Sequence, residues 1–133
     1  MNNPMTFRGV VEKGIGLGKK LGFPTFNLHV DPLPDLVHGV YAVRARVEGE
    51  GSHGTGEVWH DALMHFGPKP TVSMESVFCE VYFLQFPEGL EIHELEVQVL
   101  GKLRDVMRFE SLDALVEQMK EDERRAVESY FKV

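Results

Sequence analysis

The feature that most constrains the 133-residue chain is a two-residue periodicity. It recurs in short segments and gives way to a helical period once, near the end. In "GVYAVRARVEGEG" (39–51), Val43, Ala45 and Val47 share one face of an extended chain, and Arg44, Arg46 and Glu48 share the other. "EIHELEVQVLGKLR" (91–104) repeats the pattern with Leu95, Val97 and Val99. "TFRGVVEKG" (6–14), "EVWHDALMHFG" (57–67) and "SVFCEVYFLQF" (76–86) read as further strands, the last rich in β-branched and aromatic residues. Turn chemistry separates them, in "DPLPDLVHG" (31–39), "EGEGSHGTGE" and "PEGL". Only "SLDALVEQMKEDERRAVESYF" is helical in period. There Leu112, Leu115, Val116 and Met119 form one apolar stripe, Ser111 is a candidate N-cap, and Asp113 suits the first turn of the helix dipole. Five or six sequential strands followed by one C-terminal helix predict an antiparallel barrel or sandwich rather than a βαβ sheet.

A chain of this length fits one domain, taken as residues 1–133. The 14 Lys and Arg against 21 Asp and Glu leave a formal charge of −7. An acidic chain with no long basic stripe argues against a nucleic-acid partner, because phosphate neutralisation dominates that affinity. A small phosphorylated ligand needs only a few local donors and stays open. The one cysteine, Cys79, forms no internal disulfide, which favours a reducing compartment. The opening "MNNPMTFRGV" carries no signal-peptide pattern, and no apolar run approaches a membrane span. These observations predict a cytoplasmic, membrane-free protein, expected as a monomer.

The stretch "GLGKKLGFPTFNL" (16–28) holds the strongest chemical hint. It fails the P-loop pattern, because Gly18-Lys19 is followed by Lys20 and no glycine stands five residues before Gly18. It fails G-x-G-x-x-G as well, and Pro24 with "FPTFNLHV" predicts extended chain where those motifs need a helix. Two readings follow from spacing alone. In one, glycines let backbone N–H groups converge on an anion, Lys19 and Lys20 add charge, and Thr25 and Asn27 point their oxygens to one side to ligate a hard cation. In the other, the stretch is a hairpin loop with solvated lysines and a capped turn.

Glu80 lies in "VFCEVYFL", with Phe78, Tyr82 and Leu84 on its own face. A carboxylate there is costly to bury unless paired, and desolvation is a common route to a general base. It reads either as such a base or as a surface or ion-paired glutamate. The six histidines form no H-E-x-x-H or Cys/His cluster, so no catalytic zinc site is expected. Cys79 reads as a buried structural thiol on the opposite face, and Trp59 as either a packing residue or a stacking surface.

Taken together, "GKKLGFPTFN", "GVYAV", "CEVYFL" and "LRDVMRFESLDALVEQMKEDERRA" resemble the riboflavin kinase (flavokinase) family, in one order from about Phe7 to about Ala126. Residues 18–27 satisfy the family pattern Gly-Arg/Lys-x-x-Gly-Phe/Ile-Pro-Thr-x-Asn. The resemblance implies a six-stranded antiparallel Greek-key barrel with a C-terminal helix. It implies transfer of the γ-phosphoryl group of Mg-ATP to the ribityl 5′-hydroxyl of riboflavin, giving FMN and ADP. Carried across, Gly14, Gly16, Gly18, Lys19, Lys20, Gly22 and Pro24 would form the nucleotide phosphate loop. Thr25 and Asn27 would hold Mg²⁺ and phosphate, and Glu80 would be the general base. Arg104 and Phe109 would lie on the flavin side. The chain departs from the family pattern at His65, at Glu91-Ile92 and at Val106, all towards the flavin side. Those departures keep a flavin- or nucleotide-binding module without catalysis in play, and the architecture alone leaves a small protein- or RNA-interaction barrel, with the −7 charge counting against RNA. Many bacterial members carry an amino-terminal FAD-synthesising domain, so the chain is expected to be either a stand-alone kinase or a fragment.

Overall fold

A computed structural model describes residues 4–12, 25–48, 58–70, 73–85 and 92–132. Six strands, β1 (Thr6–Glu12), β2 (Thr25–His29), β3 (Gly39–Val47), β4 (His60–Lys69), β5 (Ser73–Phe83) and β6 (Glu94–Arg104), precede one helix, α1 (Leu112–Ala126). A π-helical turn, Val127–Phe131, continues α1. Every pairing is antiparallel, and the sheet closes on itself in the order β1-β2-β5-β4-β3-β6. Strands β3, β4 and β5 form a meander, and β2 lies beside β5 rather than β3, which is a Greek-key connection. Closure removes the free sheet edges that invite pairing with other chains.

Parity along the strands separates two cores. Leu28, Tyr41, Val43, Ala45, Met64, Cys79, Val81, Phe83, Leu95 and Val97 fill the barrel interior. The alternate residues Val40, Ala42, Leu63, Tyr82 and Leu103 lie on the outer wall, where they pack against Met119, Ala126 and Phe131. The predicted alternation therefore holds in β3 only from Val43 onward. Gly39 to Val43 are all buried, because the barrel interior covers one face and the helical segment the other. Likewise Ala62, Leu63 and Met64 are consecutive and buried in β4.

α1 begins where the residue pattern places it. Ser111 is extended (φ −150°, ψ 163°), its Oγ accepts from the Ala114 N–H at 3.1 Å, and Asp113 stands in the first turn. Leu112, however, is 55% exposed, while Met119 and Ala126 are buried. The first turn of α1 overhangs the barrel wall instead of lying on it. Two register shifts against β3 leave Leu100 and Leu103 of β6 as extra residues. Such bulges bend and twist a strand, and here they end β6 with Arg104 turned towards α1. Between them Gly101 has no side chain, and the Tyr130 ring occupies the space a Cβ would take.

Candidate active site

β5 carries Glu80 outward, away from the buried Cys79 and Val81. In the ladder, Glu80 stands opposite Asn27 of β2 on one side and His65 of β4 on the other. Directly opposed residues of antiparallel strands share a face, so Asn27, Glu80 and His65 form one row across three strands. The adjacent row is Thr25, Tyr82 and Leu63. Thr25 and Asn27 thus face the same side as Glu80, as their spacing predicts.

Each group has a defined environment. Lys69 Nζ donates to Glu80 Oε2 at 2.8 Å, with side-chain exposures of 24% and 16%. Glu80 is therefore ion-paired rather than an isolated carboxylate among apolar neighbours. Asn27 Oδ1 is buried and has no hydrogen-bond partner among the described residues. A His65 ring nitrogen lies 2.8 Å from the Pro68 carbonyl oxygen. Burial pulls the His65 pKa below its ordinary value, against opposing pulls from Pro68 and Glu80, so the neutral ring is favoured. Burial, reinforced by the Glu80 charge, pushes the Cys79 thiol up to about 12, which leaves an inert structural thiol.

The opposite wall comes from the end of β6 and from α1. Arg104 Nε and Nη2 donate to Asp122 Oδ1 and Oδ2, both at 2.8 Å, and Nη1 donates to the Asp105 carbonyl at 3.0 Å. Gln118 Nε2 donates to Asp122 Oδ1 at 3.0 Å. The Arg104 guanidinium lies 5.7 Å from the Phe109 ring centroid, within cation–π range. Asp122 is 1% exposed. Burial, with the Asp122 charge second, raises the Tyr82 phenol far above its ordinary range.

Between the walls lies a cavity of about 380 Å³, within the size range of small-molecule sites. Thr25, His65, Lys69, Glu80, Arg104, Phe109 and Asp122 line it, with an apolar roof of Met107, Leu112, Leu115 and Met119. The structure thus gathers Thr25, Glu80, Arg104 and Phe109 around one space. Asn27 belongs to the same sheet face but does not line the cavity. Gly14, Gly16, Gly18, Lys19, Lys20, Gly22 and Pro24 lie outside the described residues, as does Glu91. Of the other departures, His65 lines the cavity. Val106 packs near Gly67, where one of its methyl carbons would lie 3.2 Å from an added Cβ. Trp59 stacks under the Arg46 guanidinium at 4.8 Å, outside the cavity.

Lys69 and Asp122 were not singled out from sequence. Asp122 did leave a signal. It falls three residues after Met119 and four before Ala126, on the helix stripe that packs inward, where a carboxylate calls for a partner. Lys69 left none beyond its place between Pro68 and Pro70.

Oxygen donors are what the Thr25–Asn27 side of the sheet offers a cation. Among the described residues no three His, Cys, Asp or Glu side chains converge on one point. The amide oxygen of Asn27, buried and without a hydrogen-bond partner among the described residues, lies on the same face as the Thr25 hydroxyl and fits a hard divalent cation.

A family model described as "Flavokinase: Riboflavin kinase" matches residues 1–130. A curated relative, the RNA-binding riboflavin kinase RibR of Bacillus subtilis, is 36% identical over 116 residues, or 86% of this chain and 46% of that protein. A solved structure described as a macrolide-efflux protein from Streptococcus pneumoniae superposes with a TM-score of 0.75 at 28% identity, covering 92% of this chain and 38% of that one. The riboflavin kinase of Trypanosoma brucei superposes with a TM-score of 0.67, covering 98% of this chain and 79% of that one. At 23% identity this last likeness is one of fold. The chain spans less than half the length of the curated relatives it matches.

Proposed function

The chain belongs to the riboflavin kinase family, and on that premise we propose that it transfers the γ-phosphoryl group of Mg-ATP to the ribityl 5′-hydroxyl of riboflavin, yielding FMN and ADP. The observation that carries this reading is the position of Glu80. It is a carboxylate on the cavity wall, in one cross-strand row with Asn27 and one row from Thr25. Phosphoryl transfer asks for positioning, charge neutralisation and a base for the hydroxyl proton. In this reading Glu80 receives that proton.

Thr25 Oγ1 and Asn27 Oδ1 would hold the Mg²⁺, which supplies charge neutralisation to the nucleotide phosphates when bound. Residues 14–22, with Lys19 and Lys20, would bind those phosphates. The flavin would enter between the strand wall and the roof of Met107, Leu112 and Leu115. Phe109 offers it an aromatic face, and Arg104 offers the N–H groups that Asp122 and Asp105 leave unused.

Incubation with riboflavin and Mg-ATP is expected to form FMN and ADP in equal amounts, read by chromatography. Glu80→Gln is expected to lower kcat by about 10²–10⁴-fold while nucleotide affinity changes little. Wild-type turnover in the Gln variant would remove Glu80 from the base role. Tight flavin binding without FMN formation would point instead to a binding module.

A further inference from the structure

The cavity holds a cation to which the reaction above gives no part. Lys69 sits at the end of β4, where the ladder with β5 breaks: Gly67 pairs with Phe78, but Lys69 pairs with Ser73. Two steps along β4 thus match five along β5, so three extra residues of β5 bulge out beside Lys69. Gly67, where the break begins, has a φ of 138°, a conformation that residues with a side chain rarely adopt. The His65 ring meets the Pro68 carbonyl in the same stretch. Lys69 shares the strand parity of His65, and its ammonium reaches Glu80, the residue opposite His65.

There Lys69 is held from two sides. Its Nζ lies 2.8 Å from Glu80 Oε2 and 4.9 Å from the Phe78 ring centroid. Its hydrogen bond goes to Oε2. A glutamate has three rotatable side-chain torsions, and a general base must keep its oxygen within hydrogen-bond reach of the proton it takes.

We propose that Lys69 is a positioning residue for Glu80: by holding Oε2 it turns Oε1 towards the acceptor hydroxyl in the cavity. This inference rests on the kinase reading. In the step it serves, the acceptor O–H bond breaks and its proton passes to Glu80. The acceptor oxygen bonds to the γ-phosphorus, and the bond to the β-phosphate oxygen breaks with its electron pair leaving on ADP. Lys69 neither gains nor loses a proton.

Four proteins test it: wild type, Lys69→Met, Glu80→Gln and the double variant, each assayed with riboflavin and Mg-ATP. Lys69→Met is expected to lower kcat by roughly 10–100-fold with the KM for ATP within about twofold, since a misplaced catalytic group loses rate rather than binding. Lys69→Arg, which keeps a charged donor, is expected to restore most of kcat. In the Glu80→Gln background, Lys69→Met should remove no more than about threefold, because residues acting as a unit are non-additive. Multiplicative losses in the double variant would overturn the proposal, and so would a raised KM for ATP at unchanged kcat, which would make Lys69 a phosphate ligand. Urea midpoints of the same four proteins are expected to show coupling between the two positions. If wild type forms no FMN, the kinase reading fails and the positioning role with it. Coupling in urea would then assign the pair to stability alone.

Discussion

Two ion pairs face each other across one cavity, and they are built differently. Arg104 and Asp122 meet through two parallel 2.8 Å hydrogen bonds, 12% and 1% exposed, with Gln118 and the Asp105 carbonyl as further partners. Lys69 and Glu80 meet through a hydrogen bond to one oxygen, are more exposed, and lie on two strands whose ladder breaks between them. A buried charge pair carries a large desolvation penalty, so the Arg104 pair adds little net stability, yet leaving either charge alone there is severe. The Lys69 pair is wetter and can be broken cheaply. One wall therefore holds its shape by making every alternative expensive. The other holds its carboxylate through a single, more exposed hydrogen bond.

The sharpest way to break this contrast is to remove one charge from each pair. Asp122→Ala, which strands Arg104, is expected to lose about 3–5 kcal/mol in urea unfolding. A loss below about 1 kcal/mol would show that the buried pair is no more demanding than the open one. Ser111→Ala, at the N-cap of the helix that bears Asp122, is expected to lose about 1 kcal/mol. If the helix wall is rigid, riboflavin affinity in that variant stays near wild type. Lys69→Met is expected to lose under about 1 kcal/mol of stability, far less than it loses in turnover. A larger stability loss would erase the distinction between the walls.

The smallest effect concerns pH and sits on the Glu80 wall. The folded pKa of His65 is below its ordinary 6.5, so its neutral form is the one the fold accommodates. The stability this gives is complete above pH 6.5. It is lost as pH falls through the folded value, because the unfolded chain takes up the proton first. A His65→Gln variant is expected to show a flatter urea midpoint between pH 7 and 5, and an unchanged acid slope would remove His65 as its source.

The two walls were also unequally legible in the residues. Strand parity placed Glu80 on the face of Tyr82 and opposite Cys79, and the Thr25 and Asn27 spacing placed both on one side, because a period of two is local. The Ser111 cap and the inward Met119 were readable for the same reason. The buried stretch from Gly39 to Val43 was not, since its second covered face comes from the helical segment, far along the chain. The partner of Glu80 was hidden by a three-residue shift of register that alternation does not encode. Arg104 was expected on the flavin side, and its pairing with Asp122 through two N–H groups was not foreseen. Family resemblance located Arg104 and Phe109, where periodicity was silent.

The alternation in β5 has a further consequence for how such a molecule can vary. Cys79, Val81 and Phe83 seal the lumen, while Glu80 and Tyr82, interleaved with them, face the cavity. Neighbouring codons therefore answer to different selective demands. Residues of one parity are held by the close packing of the barrel, and those of the other can change with the ligand. A lineage can change the cavity wall at positions such as His65 without reopening the problem of how the barrel closes.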